Sequence, residues 1–494
     1  MKDYKTYLDT IGEIGVVEEI IHAIIHVKGL PGTQTHEIIV FEDGQVGYAL
    51  SLAENFVEVL LLSQDGIKVG SAATRTNEFL EVEVGDFLLG KNIDPLGASN
   101  DGPVNPTNAA SEKRRIDISP PGILEREVIN EALETGITLV DLTIPLGKGQ
   151  RELVIGDRKT GKTAFLESLV VHQARRGTVC IYATMGRRAQ EVKRFEQYLR
   201  NKKVIDNVVI VSTTSPEAAG LIFITPYTAM TIAEYFRDKG KDVLVIFDDL
   251  TSHAKYYREI SLLARRFPGR SSYPGDIFYI HARLLERGGK FKKGSITCLP
   301  IAESVLGDLS GYIQTNLMAM TDGHIFFDSD FYNQGRRPAI NPFLSVTRVG
   351  RQAQTDLVRD LSREISSFMV YYRKMQEFIH FGAELNEQVR QTLAMGDRLV
   401  AFFDQPSGGG MGINISIILT GFLWANFWRD EEIPTMKAQV IKFYDYYHAN
   451  ADYAKKTDQI IAQSPDFQTL VNTVKTQKEF FMEFLFAKGA KENG

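Results

Sequence analysis

Cysteine is nearly missing from this chain, with only Cys180 and Cys298 in 494 residues. Each lies in an apolar strand-like run, Thr178–Ala183 and Ser295–Ile301. A disulfide framework or a cysteine-rich metal site is therefore excluded, and both thiols are expected to be buried and free in a reducing compartment. Histidine is sparse as well. His172, His253, His281 and His324 are scattered, with no pair at metal-ligand spacing, so core or surface roles are expected for them. There is no basic excess: 56 Lys and Arg against 62 Asp and Glu give a net charge of −6, which argues against a nucleic-acid binder. Long hydrophobic runs are lacking too. The most apolar segment, Met411–Trp428, contains Asn414, Ser416 and Asn426 and reads as a buried helix rather than a membrane span. The polar start Met1-Lys-Asp-Tyr-Lys carries no signal-peptide pattern. Any membrane role is thus expected to come through partners. Internal repeats and biased tracts are also missing, and the composition, 44% hydrophobic and 24% charged, is that of a globular protein. At this length roughly two to four domains are expected.

What is present is concentrated in one stretch, Glu152-Leu-Val-Ile-Gly-Asp-Arg-Lys-Thr-Gly-Lys-Thr-Ala164. It contains Gly156-x-x-x-x-Gly161-Lys162-Thr163, the spacing of a phosphate-binding loop. An ordinary glycine-rich turn could match that spacing, but here an apolar run enters the loop and a helix-like segment from Thr163 to Arg175 leaves it. In such a loop the backbone N–H groups of Gly156, Asp157, Arg158, Lys159, Thr160, Gly161, Lys162, Thr163 and Ala164 curl around phosphate, helped by the positive end of the following helix. Lys162 would reach the terminal phosphates, and the Thr163 hydroxyl would hold Mg²⁺. A second element is Val243-Leu-Val-Ile-Phe-Asp248-Asp249, a buried strand pattern ending in acids where α/β proteins bind ligands. Asp248 is expected to bind Mg²⁺ through a water, supported by Asp249. The plainer alternative makes the two aspartates caps of a helix over Thr251–Arg265.

Around these motifs the chain changes character three times. Candidate strands at Ile11–Val27, His36–Phe41, Val46–Leu52, Phe56–Leu62 and Phe79–Val84, with turns between them, predict a small β-barrel. Gly85–Ile129 is loop-rich. Strands at Glu152–Ile155, Val179–Thr184, Val208–Ser212, Val243–Phe247, Ile296–Leu299 and His324–Phe327 alternate with helical stretches, the pattern of a mostly parallel covered sheet. Beyond Asp356 helical patterns run over Leu357–Phe381, Asn386–Phe402, Ile413–Trp428 and Thr435–Tyr453 and again from Asp466, predicting a helical bundle. The expected class is multidomain α+β: a barrel over 1–84, a RecA-like α/β nucleotide-binding domain over 85–355 and a helical domain over 356–494. The basic run Arg258–Arg270 reads as a solvated helix end and loop.

Longer blocks carry a resemblance. Gly147-Lys-Gly-Gln-Arg-Glu-Leu-Val-Ile-Gly-Asp-Arg-Lys-Thr-Gly-Lys-Thr163 resembles the alpha chain of F-type ATP synthases, whose loop reads Gly-Asp-Arg-Gln-Thr-Gly-Lys-Thr. Tyr273-Pro-Gly-Asp-Ile-Phe-Tyr-Ile-His-Ala-Arg-Leu-Leu-Glu-Arg287, Thr315-Asn-Leu-Met-Ala-Met-Thr-Asp-Gly323, Arg337-Pro-Ala-Ile-Asn341 and Ser345-Val-Thr-Arg-Val-Gly350 match in the same order. The resemblance implies a ring of three alpha and three beta chains around a gamma-type shaft, with a delta-type stator subunit. It implies Mg²⁺ with ATP or ADP, coupling to proton transport, and a peripheral place at the cytoplasmic face of the cell membrane. In such rings the alpha site binds nucleotide without hydrolysing it. Where the catalytic chain carries a Glu that polarises water, this chain has Arg187, and a typical alpha chain has Gln. A guanidinium only donates hydrogen bonds and cannot act as a base. Capping, or pairing with Glu191, is the plainer role for Arg187.

The resemblance further implies that Arg348 is an arginine finger for the neighbouring catalytic site, and that Arg337, Pro338 and Gln405 lie beside the adenine. Tyr332 stands where Phe is usual, Ser407 where a second Gln is usual, and Lys159 where the loop usually has Gln. The short stretch before the first expected strand and the glycine-opened tail after Pro406 leave a second reading, a rotary paralogue doing mechanical work without a proton channel. An RNA-translocating hexamer of the Rho type is a remote third, disfavoured by the acidic barrel. A self-assembling scaffold holding nucleotide as structural filler is the reading furthest from catalysis.

Overall fold

The computed structural model describes residues 3–63, 66–100, 111–380, 387–406, 408 and 410–486. By compactness the chain divides into two units. The first joins Met1–Val128, Lys148–Arg158 and Gln173–His324; the second joins Ile129–Gly147, Lys159–His172 and Ile325–Gly494.

The first unit opens with a closed barrel of six strands. Around it run Gly15–Ile21, Ile24–Lys28, Val57–Leu61, Val46–Leu52, Glu37–Phe41 and Ala72–Phe79. Alternate residues point inward, and Val17, Ile25, Val27, Ile39, Phe41, Val59 and Leu61 fill the interior. Three expectations are corrected here. The single strand read over Ile11–Val27 is the end of a helix, Tyr4–Ile11, followed by a hairpin that turns at His22 and Ala23. No glycine, proline or asparagine marks that turn, and His22 takes the left-handed conformation itself (φ 53°). Ala72–Phe79 was not read as a strand because it is polar, yet it closes the barrel against Gly15–Val16 and Glu37–Phe41. Glu81–Val84 leaves the barrel and pairs instead with Glu112–Arg115, inside the stretch read as loop.

In the same unit six parallel strands form a sheet in the order Glu152–Gly156, Ser295–Glu303, Asp242–Asp248, Val179–Arg187, Val208–Thr214 and Asn92–Ile93. Val154, Ile155, Ile181, Ile210, Leu244, Ile246 and Leu299 are each 0% exposed, as strands covered on both faces require. Five of the six expected strands are found here and the sixth is the strand Gly323–Phe327, and the carboxyl ends of Glu152–Gly156, Ser295–Glu303, Asp242–Asp248 and Val179–Arg187 share one edge. Both cysteines lie buried in this sheet and neither is in a disulfide, and burial pushes the Cys298 thiol up to about 12. The basic run does more than the solvated face expected of it. Arg266 reaches the buried Glu58 of the barrel at 3.0 Å, and Arg265 reaches Glu19 at 2.9 Å.

Two histidines that the sequence left apart meet in the core. His253 Nε2 lies 2.9 Å from the Phe223 carbonyl and must donate to it, so its Nδ1 accepts from His281 Nε2 at 3.0 Å. Burial lowers both, His253 to about 4. A histidine lowered by folding binds a proton in the unfolded chain before the folded one, so it favours the folded state above its unfolded pKa. That stability is lost as pH falls from about 6.5 towards about 4, at about 1.4 kcal/mol per pH unit for one group. Chemical denaturation at a series of pH values should therefore show a shallower acid slope for His253→Gln than for the unaltered chain.

The second unit carries the helices Asp356–His380, Glu387–Phe403, Ile413–Trp424, Ile433–Ala449, Ala451–Gln463 and Phe467–Thr476. Phe422, from the apolar segment, sits against Phe427, Trp428, Phe443 and Phe481 in an aromatic core. Among the described residues no helix is long and apolar enough to cross a membrane. The helix expected over Thr435–Tyr453 breaks at Asn450, whose side chain accepts from the Tyr453 N–H at 3.1 Å and starts a new helix.

Candidate functional site

In the first unit, Gly156 ends its strand buried, and the next two side chains fasten the turn that follows. The Asp157 carboxylate accepts from Ser304 Oγ at 2.6 Å and from the Gly307 N–H at 3.0 Å. Arg158 Nε donates to both oxygens of Glu303, at 3.0 and 2.9 Å. Both side chains are thus engaged with protein, and what these positions keep for an anion is backbone.

The two acids at the tip of Asp242–Asp248 divide the two roles weighed for them. Asp249 is the helix cap: its carboxylate accepts from the Ser252 N–H at 2.5 Å and from Ser252 Oγ at 3.2 Å, starting Leu250–Leu263. Burial, together with the charge of Asp248, raises Asp249 to about 6. Asp248 caps nothing. Its Oδ2 accepts from the Tyr182 hydroxyl at 3.0 Å, and its Oδ1 forms an ion pair with Arg187. Arg187 Nη2 also lies 3.7 Å from Asp249 Oδ2. The pairing of Arg187 with Glu191 weighed from the sequence is replaced by this one. Tyr182 was missed because only strand register brings it beside Asp248.

In the second unit the loop runs through left-handed backbone at Lys159 (φ 64°) and Gly161 (φ 95°), the kind of alternation that forms an anion nest. Thr160 is buried, and the helix Lys162–Arg175 begins directly after Gly161 with the Phe165 N–H on the Gly161 carbonyl at 3.1 Å. Thr163 is exposed, while Lys162 and Ala164 are half-buried.

The residues expected beside a base come together. The Arg337 guanidinium lies 3.8 Å over the Tyr332 ring, and its Nη1 donates to the Tyr332 carbonyl at 2.9 Å. The Gln405 N–H donates to the Arg337 carbonyl at 2.7 Å. Gln405 Oε1 in turn accepts from the Thr138 N–H at 2.7 Å. A Cβ on Gly161 would stand 3.9 Å from Tyr332, so loop and ring are neighbours. Pro338 is half-buried beside Arg337. Ser407 lies outside the described residues. Among the described residues no group of three or more His, Cys, Asp or Glu is placed to hold a metal.

Arg348 is exposed, and no hydrogen bond or ion pair ties its guanidinium among the described residues. The turn that carries it is held firmly. Thr347 Oγ1 donates to the Pro145 carbonyl at 2.9 Å and accepts from the Gly350 N–H at 3.1 Å. A Cβ on Gly350 would meet the Pro145 oxygen at 1.7 Å, so only glycine allows this approach. Gly350→Ala is expected to cost about 3 kcal/mol, as overpacking against backbone does. The measurement is a denaturant midpoint, which should fall clearly below that of the unaltered chain.

Residues 136–347 match the ATP synthase alpha/beta family, nucleotide-binding domain, and residues 354–476 match the ATP synthase alpha/beta chain, C terminal domain. The chain is 35% identical over 490 residues to the ATP synthase subunit alpha of Clostridium kluyveri (strain NBRC 12016), covering 98% of this chain and 96% of that one. It is 38% identical over 453 residues to the ATP synthase subunit alpha of Clostridium botulinum (strain Loch Maree / Type A3), covering 90% and 89%. Barrel, nucleotide-binding sheet and helical domain occur in the order of that family, and the likeness runs through all three. The chain belongs to the ATP synthase alpha/beta family, as an alpha-type chain.

Proposed function

We propose that this chain is the non-catalytic, nucleotide-holding partner in a rotary ATPase ring and lends Arg348 to the catalytic site of its neighbour. The observation that carries the reading is the ion pair of Arg187 with Asp248. At the place where a water-polarising acid would have to stand, the side chain is a permanently protonated donor already bound to a carboxylate. ATP or ADP would lie on the backbone of Gly156 to Ala164, with Lys162 on the outer phosphates and Arg337, Pro338 and Gln405 towards the base. Thr163 and Asp248 supply oxygen donors of the kind Mg²⁺ takes, so they would hold it, Asp248 through a water. Bound there, Mg²⁺ would offset phosphate charge. The partners are a beta-type catalytic chain in a three-plus-three ring, a gamma-type shaft and a delta-type stator subunit. The assembly would make or hydrolyse ATP coupled to proton transport and attach peripherally at the cytoplasmic face of the membrane.

The test is purification of the native complex with identification of its subunits, together with ATP turnover by the isolated chain. Co-purification with a beta-type chain and a membrane sector, with negligible turnover alone, is the expected result. Brisk hydrolysis by the isolated chain would overturn the non-catalytic reading, and a ring lacking a membrane sector would move the chain to mechanical work without proton transport.

A further inference from the structure

Asp248 is the acid through which a divalent cation would be held, yet it is already served by two protein donors. Tyr182 occupies one oxygen and Arg187 the other, and the Asp248 side chain is only 10% exposed. Asp249 is 1% exposed and committed to its helix cap. The Arg187 side chain, 32% exposed, is therefore the open face of this cluster. A guanidinium has five N–H donors in a fixed fork, so contacts to Asp248 and Asp249 leave donors for an oxyanion. The cluster stands at the carboxyl edge of the sheet on which Gly156 opens the phosphate loop. One strand, Ser295–Glu303, separates the Asp248 strand from the Gly156 strand, which sets the two strand ends about 10 Å apart.

Charge decides what this arrangement does. With an uncharged side chain at position 187, Asp248 would face a polyanionic triphosphate as a bare carboxylate, and only a divalent cation could relieve the repulsion. With arginine there, the relief is built in. The same fixed cation repels Mg²⁺ and reduces what the metal adds to binding.

We propose that Arg187 makes triphosphate binding by this chain largely independent of divalent metal. The proposal rests on the nucleotide-site reading given above. Its test is the dissociation constant of ATP for the purified full-length chain, measured by equilibrium dialysis with excess MgCl₂ and again with EDTA. For the unaltered chain the two values should agree within about threefold. In Arg187→Gln their ratio should rise to about thirtyfold or more, as expected when a charged contact worth one to two factors of ten is removed. Arg187→Lys keeps the charge and should stay within about threefold. A thirtyfold ratio in the unaltered chain, or an unchanged small ratio in Arg187→Gln, would overturn the proposal and leave the nucleotide site standing. The second result would mean that the Arg187–Asp248 pair does not bear on the bound phosphate. Failure to bind ATP under either condition would overturn the nucleotide-site reading and the proposal with it. Should Arg187→Gln not fold, Arg187→Met removes the same charge and takes its place, with the same expected ratio and the same overturning result.

Discussion

Replacing Arg348 with alanine is expected to lower the ATP turnover of the assembled complex by about 10³–10⁵-fold, the range over which arginine fingers act. The expectation follows from the exposed guanidinium, which no described residue engages, and from the rigid turn beneath it. A side chain that stabilised its own fold would be paired or packed. This one stands on a turn whose Thr347 and Gly350 are locked to Pro145, so the backbone beneath it is already fixed and only side-chain freedom would be lost on meeting charge on a neighbour. A planar cation offsets charge spread over the equatorial oxygens of the transferring phosphoryl group, which is a transition-state effect. Binding of ATP to the isolated chain should therefore be unaltered in the variant, and ring assembly on a sizing column should persist. Arg348→Lys should recover only part of the loss, because an ammonium cannot supply two parallel N–H contacts. Unchanged turnover in Arg348→Ala, with the ring intact, would favour a scaffold in which nucleotide is structural filler.

Lys162→Gln should weaken ATP binding to the isolated chain by about a hundredfold, the loss expected when one partner of a hydrogen-bonded charge pair is removed. Equilibrium dialysis reads this directly. Lys162 opens the helix that follows the left-handed turn at Gly161, where helix dipole, nest and ammonium would all act on the same anion. The two variants should separate two jobs of one chain. Arg348→Ala strikes turnover and spares binding, whereas Lys162→Gln strikes binding and affects turnover far less. If Lys162→Gln abolished turnover as completely as Arg348→Ala, the division between a holding site and a lent residue would fail.

The strands of the sheet were legible because a strand covered on both faces must be apolar at every position, and runs such as Val243–Phe247 are. The barrel was harder to read. Ala72–Phe79 carries the polar Arg75, Asn77 and Glu78, and Ala73 is its small contribution to the barrel core, so its pattern resembles a loop. The turn at His22 was hidden because its left-handed residue is not one that usually signals a turn. The helix break at Asn450 was hidden by unbroken apolar periodicity on both sides, and only the cap geometry reveals it.

The phosphate-loop spacing, the acids after Val243–Phe247 and the Ser345–Gly350 block were legible in the amino-acid order, because each is a contiguous segment. The family followed from several such segments in order. What Arg187 does was open until the fold existed. Its partner lies on the adjacent strand, 61 residues away along the chain, and parallel register alone brings the two together. The same holds for the His253–His281 pair and for Gln405 beside Arg337. Local spacing fixes which groups a segment can offer. Only long-range pairing decides which charges meet, since electrostatic energy depends on separation in space and is indifferent to separation in sequence.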